Sequence, residues 1–249
     1  MANFTPIKKD QHQNLKVANN RGLEHIANQH LVGTNAKEYN QLALSFPLFF
    51  IKEGDVYRSV ALLGLQSGEN LYFQNDKMNA IAIPQSLALT PFSLGLDTEK
   101  ENTLTACVDV DSPYVGDDKE LPLFDEEGND TDLYKSIQES LGNLYENEVM
   151  TEKFIKELAE HELLKEFELL INLATGEKKR LVGLYGIDEQ KLNTLSDEKA
   201  LDFHKRGLFI PIHSMMVSMG QVNRLVQLRN EHTDNKVAGI KLQPRTADE

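Results

Sequence analysis

The fold is decided by one stretch of the sequence, Pro47-Leu-Phe-Phe-Ile-Lys-Glu-Gly-Asp-Val-Tyr-Arg-Ser-Val-Ala-Leu-Leu-Gly-Leu65. Pro47 to Lys52 is short and largely apolar, which predicts a buried strand, and Val56 to Leu65 has the same character. Glu53-Gly54-Asp55 lies between them and has the composition of a turn, because glycine adopts backbone angles that tight turns require. The stretch therefore predicts a β-hairpin.

A second hairpin is predicted in the other half of the chain. Glu166 to Leu173 and Lys179 to Gly186 flank Ala174-Thr-Gly-Glu177, a segment that is typical of a hairpin turn. We expect these antiparallel hairpins to form a mixed sheet against which helices pack. The predicted fold class is α+β.

Helical patterns concentrate in the C-terminal half. Thr131 and Thr151 each stand at the start of an apolar pattern with a period of about 3.6 residues, where a threonine side chain caps the backbone N–H groups of a helix. Ile212 to Leu228 has an apolar face of the same kind. Ser196 opens a short helix that Gly207 ends, so the sequence predicts four separate helices here.

The chain is long enough to build a core without disulfides or metals. It has 249 residues, of which 40% are hydrophobic and 26% are charged, as in an ordinary globular protein. No repeat or Gly/Ser linker divides it. We expect a single α+β domain over residues 1–230, with an acidic surface excursion near 111–130. Residues 231–249 are polar, and we expect a flexible tail.

Charge excludes some partners and favours others. The formal net charge is −13, which repels phosphate backbones, so we expect no nucleic-acid binding, whereas a basic partner protein is compatible with this field. No apolar run reaches the length of a membrane span, so we expect no membrane insertion. Cys107 is the only cysteine, and the first residues lack the apolar core of a signal peptide. The predicted location is cytoplasmic, with signal-independent export as the open alternative.

Motifs that would commit the chain to a reaction are absent from the sequence. His161-Glu162 begins like a zinc-protease signature, but position 165 is Lys165, so the second ligand is missing. The Asp and Glu residues between Asp109 and Asp130 lack EF-hand spacing, and a solvated loop is favoured over a weak cation site. The sequence contains no nucleotide-binding loop and no nucleophile elbow. We predict no metal and no cofactor, and assign no catalytic residue.

Glu69-Asn-Leu-Tyr-Phe-Gln74 matches the core of the site that tobacco etch virus protease recognises. The match lies inside the chain and is followed by Asn75 instead of the usual glycine or serine. We interpret it as native sequence, and we expect an ordered segment to resist that protease.

Several strings, in order along the chain, resemble the SapC family of bacterial proteins. They are Pro47-Leu-Phe-Phe50, Ala61-Leu-Leu-Gly-Leu65, Gly68-Glu-Asn-Leu71, Pro84, Pro91-Phe92, Leu123-Phe-Asp-Glu-Glu-Gly128, Leu181-Val-Gly-Leu184, Ile187-Asp-Glu189, Lys191-Leu192, Leu195-Ser196, Gly207 and Ser218. The resemblance covers residues from about 6 to 228. It departs from the family in one respect, since the family often carries a tryptophan before its Ile-Pro element and this chain contains none.

The resemblance implies a setting and no reaction. The family is named for an association with bacterial surface layers, and similar proteins are expected near outer-membrane receptors and flavin-dependent halogenase-like proteins. We therefore expect a soluble, non-catalytic accessory protein that has a protein partner. The alternative is an enzyme or a small-ligand-binding protein whose pocket is not marked by any sequence motif.

Two groups of residues are candidate sites. The apolar face of the last predicted helix is a candidate interaction face, or the seam of a homodimer, and core packing is its alternative; it consists of Met215, Met216, Met219, Val222 and Leu225. The region from Gly68 to Phe92 is a candidate pocket, with Glu69, Asn70, Tyr72, Pro84 and Phe92 as its residues. A deep polar pocket would favour the ligand-binding alternative, and an exposed apolar patch would favour the accessory protein.

Overall fold

The computed structural model describes residues 3–97 and 103–245, which contain both strands and helices. The strands are β1 Phe4–Pro6, β2 Lys16–Val17, β3 Leu31–Gly33, β4 Leu48–Glu53, β5 Val56–Leu62, β6 Phe73–Gln74, β7 Lys77–Met78, β8 Phe92–Leu96, β9 Leu104–Asp109, β10 Val115–Gly116, β11 Leu121–Pro122, β12 Leu164–Leu173, β13 Lys178–Ile187 and β14 Val237–Pro244. The helices are α1 Lys9–His12, α2 Tyr39–Leu42, α3 Gln85–Ala88, α4 Asp132–Glu160, α5 Glu189–Leu192, α6 Asp197–Lys205, α7 Phe209–Ser218 and α8 Val222–His232, with 3₁₀ turns at Glu24–Ile26 and Met219–Gln221. All strand pairs are antiparallel, and the predicted α+β class is confirmed.

The chain folds into two compact units, neither of which is a continuous stretch of sequence. Unit 1 consists of residues 1–22 and 85–146, and unit 2 consists of residues 23–84 and 147–249. A domain is a unit that folds by itself, which is a property of the chain in solution. The single domain over residues 1–230 therefore stays a prediction.

Unit 1 contains two small sheets around a common core. One sheet has the order β1-β9-β8 and the other has the order β10-β2-β11. Strands β10 and β11 lie within the acidic stretch near 111–130, where Leu123 and Phe124 are also buried. That stretch is therefore more than a surface excursion, because it contributes apolar side chains to the core.

Unit 2 contains a six-stranded sheet with the order β14-β12-β13-β4-β5-β3. The hairpin predicted at Pro47–Leu65 forms β4 and β5, with Gly54 in the turn at a φ of 61°. The second predicted hairpin forms β12 and β13, and Gly176 in its turn has a φ of 89°. Both turns use the left-handed conformation that glycine adopts without steric cost.

The end of the described chain is a strand and not the flexible tail that its polar composition predicts. Val237–Pro244 forms β14 and pairs with β12 along most of its length. Val237 is buried in this position. Composition is misleading here because an edge strand is stabilised by main-chain hydrogen bonds, which polar residues make as well as apolar ones.

Helix α4 is continuous where the sequence predicts two helices that begin at Thr131 and Thr151. Instead of capping a new helix, the Thr151 hydroxyl donates to the Asn147 carbonyl at 2.6 Å, one turn earlier in the same helix. Its oxygen accepts from the Ala36 backbone N–H at 2.8 Å. A threonine that bonds back in this way is tolerated inside a helix.

The last predicted helix, Ile212 to Leu228, is interrupted. Helices α7 and α8 are separated by the 3₁₀ turn at Met219–Gln221, which contains Gly220. Glycine is a weak helix former because its backbone loses the most entropy on ordering, so this is a suitable place for a break.

A buried ion pair joins α8 to the loop after β5. The Arg229 guanidinium donates to both carboxylate oxygens of Glu69, at 2.7 and 2.9 Å, and also to the Asn235 carbonyl at 3.1 Å. Glu69 in turn accepts from the Leu65 backbone N–H at 2.8 Å. The two side chains are only 4% and 12% exposed, so neither charge has water to replace its partner.

We expect Arg229→Ala to lower the free energy of unfolding by about 3–5 kcal/mol, because it leaves a buried carboxylate without its counter-ion. Arg245→Ala is the matched control, since Arg245 pairs with Glu166 at a more exposed place and should cost about 1 kcal/mol or less. Urea unfolding of both variants measures the difference. Equal costs would show that the Arg229 pair has no special weight.

Candidate functional site

Three residues of the predicted pocket region form a buried structural network in unit 2. The Asn70 amide donates to the Ile26 carbonyl at 2.9 Å, and its oxygen accepts from the backbone N–H groups of Tyr72 and Phe73. The Tyr72 hydroxyl donates to the Ser45 carbonyl at 2.5 Å. Glu69 is held by Arg229, so these polar groups are largely occupied by the fold itself.

The five predicted pocket residues do not belong to one unit. Pro84 is buried and lies in unit 2 with Glu69, Asn70 and Tyr72, whereas Phe92 lies on β8 in unit 1. Within unit 1, the Arg21 guanidinium lies 5.9 Å from the centre of the Phe92 ring. Of the predicted residues, Tyr72 also lines a pocket in unit 2.

The predicted interaction face is mostly inside unit 2. Met215, Val222 and Leu225 are buried, while Met216 and Met219 are half-buried. The break between α7 and α8 divides these residues between two helices. In this structure the face contributes to the core, which is the alternative that the sequence leaves open.

The segment that resembles a protease site is ordered. Asn70, Leu71 and Tyr72 are buried, and Phe73–Gln74 forms β6. A protease must bind its substrate as an extended chain, which requires local unfolding of this segment.

We therefore expect tobacco etch virus protease to leave the native protein uncut after Gln74. A synthetic peptide that spans residues 66–78 is the control and should be cleaved. Mass spectrometry of both digests measures the result. Cleavage of the folded chain at the rate of the peptide would contradict the buried placement of this segment.

A separate cleft in unit 2 brings charged side chains together. It has a volume of about 460 Å³ and is bounded by β3, β4, β5 and the second half of α4. Gly33 on β3 contributes to the hollow, since a Cβ atom added at this position would meet no atom within 4 Å. We call this site the acidic cleft; its charged residues are Glu53, Arg58, Glu148 and Glu152.

The acidic cleft has an excess of negative charge. Arg58 forms an ion pair with Glu152 and lies 4.0 Å from Glu53, so the single cation of the cleft is shared between two carboxylates. Glu148 lies one turn before Glu152 on α4, and positions four apart share a helix face. Desolvation in the cleft raises the pKa of Glu148, with a further contribution from Glu152, while Arg58 acts in the opposite direction.

Buried hydroxyl groups support the strands that form the floor of the acidic cleft. The Thr34 and Ser59 hydroxyls lie 2.8 Å apart, and Ser59 accepts a hydrogen bond from the Tyr39 hydroxyl. Burial raises the pKa of Tyr39, so this phenol stays protonated and acts as a donor. The network links β5 to α2 and to Thr34, the residue that follows β3.

An apolar groove adjoins the acidic cleft. It has a volume of about 330 Å³, and Thr151 lines both sites. Met150 and Ile210 line this groove and are 48% and 65% exposed. We call this site the apolar groove.

Sequence reasoning missed both sites because their residues come from distant segments. The one local signal is the pair of Glu148 and Glu152, which a helical pattern places on one face. Among the described residues, no group of three or more His, Cys, Asp or Glu side chains is arranged to hold a metal ion. None of the helices in residues 3–97 and 103–245 has both the length and the apolar character to cross a membrane.

We expect Glu148→Gln to raise the melting temperature at neutral pH. The pKa of Glu148 is raised in the folded state, so folding favours the neutral form of this carboxyl group. At a pH above both the unfolded and the folded pKa the group is charged in both states, and its charge lowers the stability of the folded state. The gain should disappear below the ordinary glutamate pKa of about 4.3, where both states are protonated.

Glu139→Gln is the control, because Glu139 lies on the same helix but does not line the acidic cleft. Thermal unfolding followed by circular dichroism at neutral and acidic pH measures both variants. A Glu148→Gln protein that is less stable than the wild type at neutral pH would contradict the assigned environment.

Comparison with known proteins gives one match. The family model described as SapC matches residues 7–225, which confirms the resemblance drawn from the sequence. No curated protein and no solved structure matches the chain.

Proposed function

The chain belongs to the SapC family, and we propose that it is an accessory protein that binds a protein partner through the acidic cleft and the apolar groove. The partner contributes a basic side chain, lysine or arginine, to the cleft and an apolar side chain to the groove. One observation carries this proposal: a site with an excess of carboxylates and a mainly apolar site share Thr151 on the surface of unit 2.

The acidic cleft suits a basic group because it has more carboxylates than cations. A guanidinium or ammonium group that enters it restores charge balance at Glu148, whose ionised form is disfavoured by desolvation. Charge-assisted hydrogen bonds to carboxylates are stronger than those between neutral groups. The net charge of −13 also accelerates the approach of a basic partner.

The apolar groove suits an aliphatic or aromatic side chain. Exposed apolar side chains around a concave site are typical of protein interaction surfaces. Burial of Met150 and Ile210 by a partner removes apolar area from water, which stabilises the complex. A recognition segment with one basic and one apolar residue would occupy both sites together.

The hydroxyl groups near the cleft support binding and not catalysis. Tyr39 donates to Ser59, and Thr151 donates to a main-chain carbonyl. An activated nucleophile needs a base that accepts its proton. Tyr39 and Thr151 donate to a hydroxyl and to a carbonyl, and neither of these acceptors is such a base. We therefore prefer a binding protein to an enzyme, with a small amine-bearing ligand in the cleft as the alternative.

The cellular setting is part of the same proposal. The family resemblance points to surface-layer or outer-membrane uptake components as partners, and we propose that the protein acts beside them. This function suits a protein that binds its partner in the cytoplasm before the partner is exported. It also suits a protein that is itself exported without a signal peptide. A homodimer would use the apolar groove in place of a second protein.

The proposal predicts which variants lose the partner. Affinity purification of the tagged chain from its host, with mass spectrometry of co-eluting proteins, should recover a stoichiometric partner. Gly33→Leu places a side chain in the acidic cleft at a position where an added Cβ atom meets no atom within 4 Å, and Met150→Glu introduces a charge at the apolar groove. Each should reduce recovery at least about tenfold, because loss of about 1.4 kcal/mol changes an equilibrium constant tenfold.

Glu139→Gln is again the matched control and should recover the partner as well as the wild type. Circular dichroism of each variant establishes that the fold is intact. A partner retained by both Gly33→Leu and Met150→Glu would overturn the assignment of this surface. Recovery of the chain alone, with crosslinking at low salt, would overturn the accessory function.

A further inference from the structure

Arg224 differs from the other arginines of the chain. Five of the seven arginines pair with carboxylates, namely Arg58, Arg180, Arg206, Arg229 and Arg245, and Arg21 donates to the Thr90 carbonyl. Arg224 on α8 is half-buried, and no carboxylate or carbonyl in the described residues accepts a hydrogen bond from it. A guanidinium has five N–H donors, and partial burial removes some of the water that would satisfy them.

Arg224 lines a pocket of about 350 Å³ in unit 2, which we call the Arg224 pocket. Its other polar lining residues are neutral: Ser45, Tyr72, Asn79 and Gln221. The chain has 39 acidic residues, yet the lining contains none of them. The pocket is therefore locally positive in a protein that is negative as a whole.

Hydrogen bonds hold the walls of the Arg224 pocket in place. The Ile81 backbone N–H donates to the Ser45 hydroxyl oxygen at 2.9 Å, and the Asn79 N–H donates to the Tyr72 carbonyl at 2.7 Å. Gln221 donates to the Ala43 carbonyl at 3.2 Å. A pocket whose walls are fixed loses little entropy when a ligand binds.

Ser45 adds a second donor to the pocket. Ser45 is 6% exposed, and its hydroxyl oxygen accepts a hydrogen bond from the Ile81 backbone N–H. Among the described residues, no acceptor receives a hydrogen bond from the Ser45 hydroxyl. A buried hydroxyl donor without an acceptor costs free energy, which a ligand oxygen would recover. Arg224 and Ser45 together offer donors to an anionic oxygen pair.

The lining also contains two exposed aliphatic side chains. Leu44 and Ile81 are 59% and 77% exposed and both line the pocket. A strongly hydrated ion such as phosphate would gain nothing from them. A ligand with an apolar tail would remove them from water.

We propose that the Arg224 pocket binds a small carboxylate with a short apolar tail. The carboxylate accepts from Arg224 and Ser45, and the tail lies against Leu44 and Ile81. A planar guanidinium and a carboxylate form two parallel hydrogen bonds, which gives this pairing both strength and orientation. This site goes beyond the proposed partner surface, because its lining shares no residue with the acidic cleft or the apolar groove.

Calorimetric titration of the full-length chain with hexanoate, acetate and phosphate tests the proposal. We expect hexanoate to bind more tightly than acetate and phosphate. Arg224→Gln should weaken hexanoate binding at least about tenfold, since hydrogen bonds to charged groups contribute about 1.5–3 kcal/mol. The double variant Leu44→Ser with Ile81→Ser should reduce hexanoate binding to the level of acetate, because it removes the apolar contact.

Arg245→Gln is the matched control, because Arg245 pairs with Glu166 and does not line the Arg224 pocket, so its removal should leave hexanoate binding unchanged. Within residues 3–97 and 103–245, Arg224 makes no hydrogen bond that its replacement would break, so a folded Arg224→Gln protein is expected, and circular dichroism checks this. No heat with hexanoate, equal binding to wild type and Arg224→Gln, or phosphate binding as tight as hexanoate binding would each overturn the proposal. None of these results bears on the partner surface, which Gly33→Leu and Met150→Glu test separately.

Discussion

The large sheet of unit 2 depends on the junction between β4 and β13. This junction joins the β4–β5 hairpin to the β12–β13 hairpin, although its register contains a single residue pair, Tyr185 opposite Phe50. The rings of Tyr57 and Tyr185 reinforce it with an edge-to-face contact at 5.1 Å. Because β3 and β5 lie on one side of the junction and β12 and β14 on the other, no continuous six-stranded sheet exists without it.

The sequence predicts what is local to a few residues and fails where distant segments meet. Gly54 and Gly176 indicate their hairpins in the sequence. A turn is determined by its own residues, and glycine readily adopts the left-handed conformation that these turns contain. Strand β14 carries no such signal, since its stability comes from pairing with β12, a segment more than sixty residues earlier in the chain. The acidic cleft was missed for the same reason, because Gly33 and Glu148 meet only after the strands and α4 have formed.

Thr151 shows how one residue misleads a local prediction and then matters for the candidate site. A threonine ahead of an apolar pattern resembles an N-cap, but the hydrogen bond to Asn147 lets α4 continue through it. The same hydroxyl accepts from Ala36, which ties α4 to the segment after β3. Glu148 and Glu152 lie on either side of Thr151, so the continuous helix brings both carboxylates to the lining of the acidic cleft.

The acidic cleft is proposed to bind a cationic group and the Arg224 pocket an anionic one, although the protein as a whole is negative. The electrostatic field of the whole protein therefore cannot select both ligands. Beyond a Debye length of about 8 Å at physiological ionic strength, the net charge is largely screened. Within that distance, the sign at each site is set by a few groups: Glu148 beside a shared Arg58 in the cleft, and Arg224 among neutral side chains in the pocket. The net charge thus governs how fast a basic partner approaches, whereas specificity at each site rests on the few charged groups that line it.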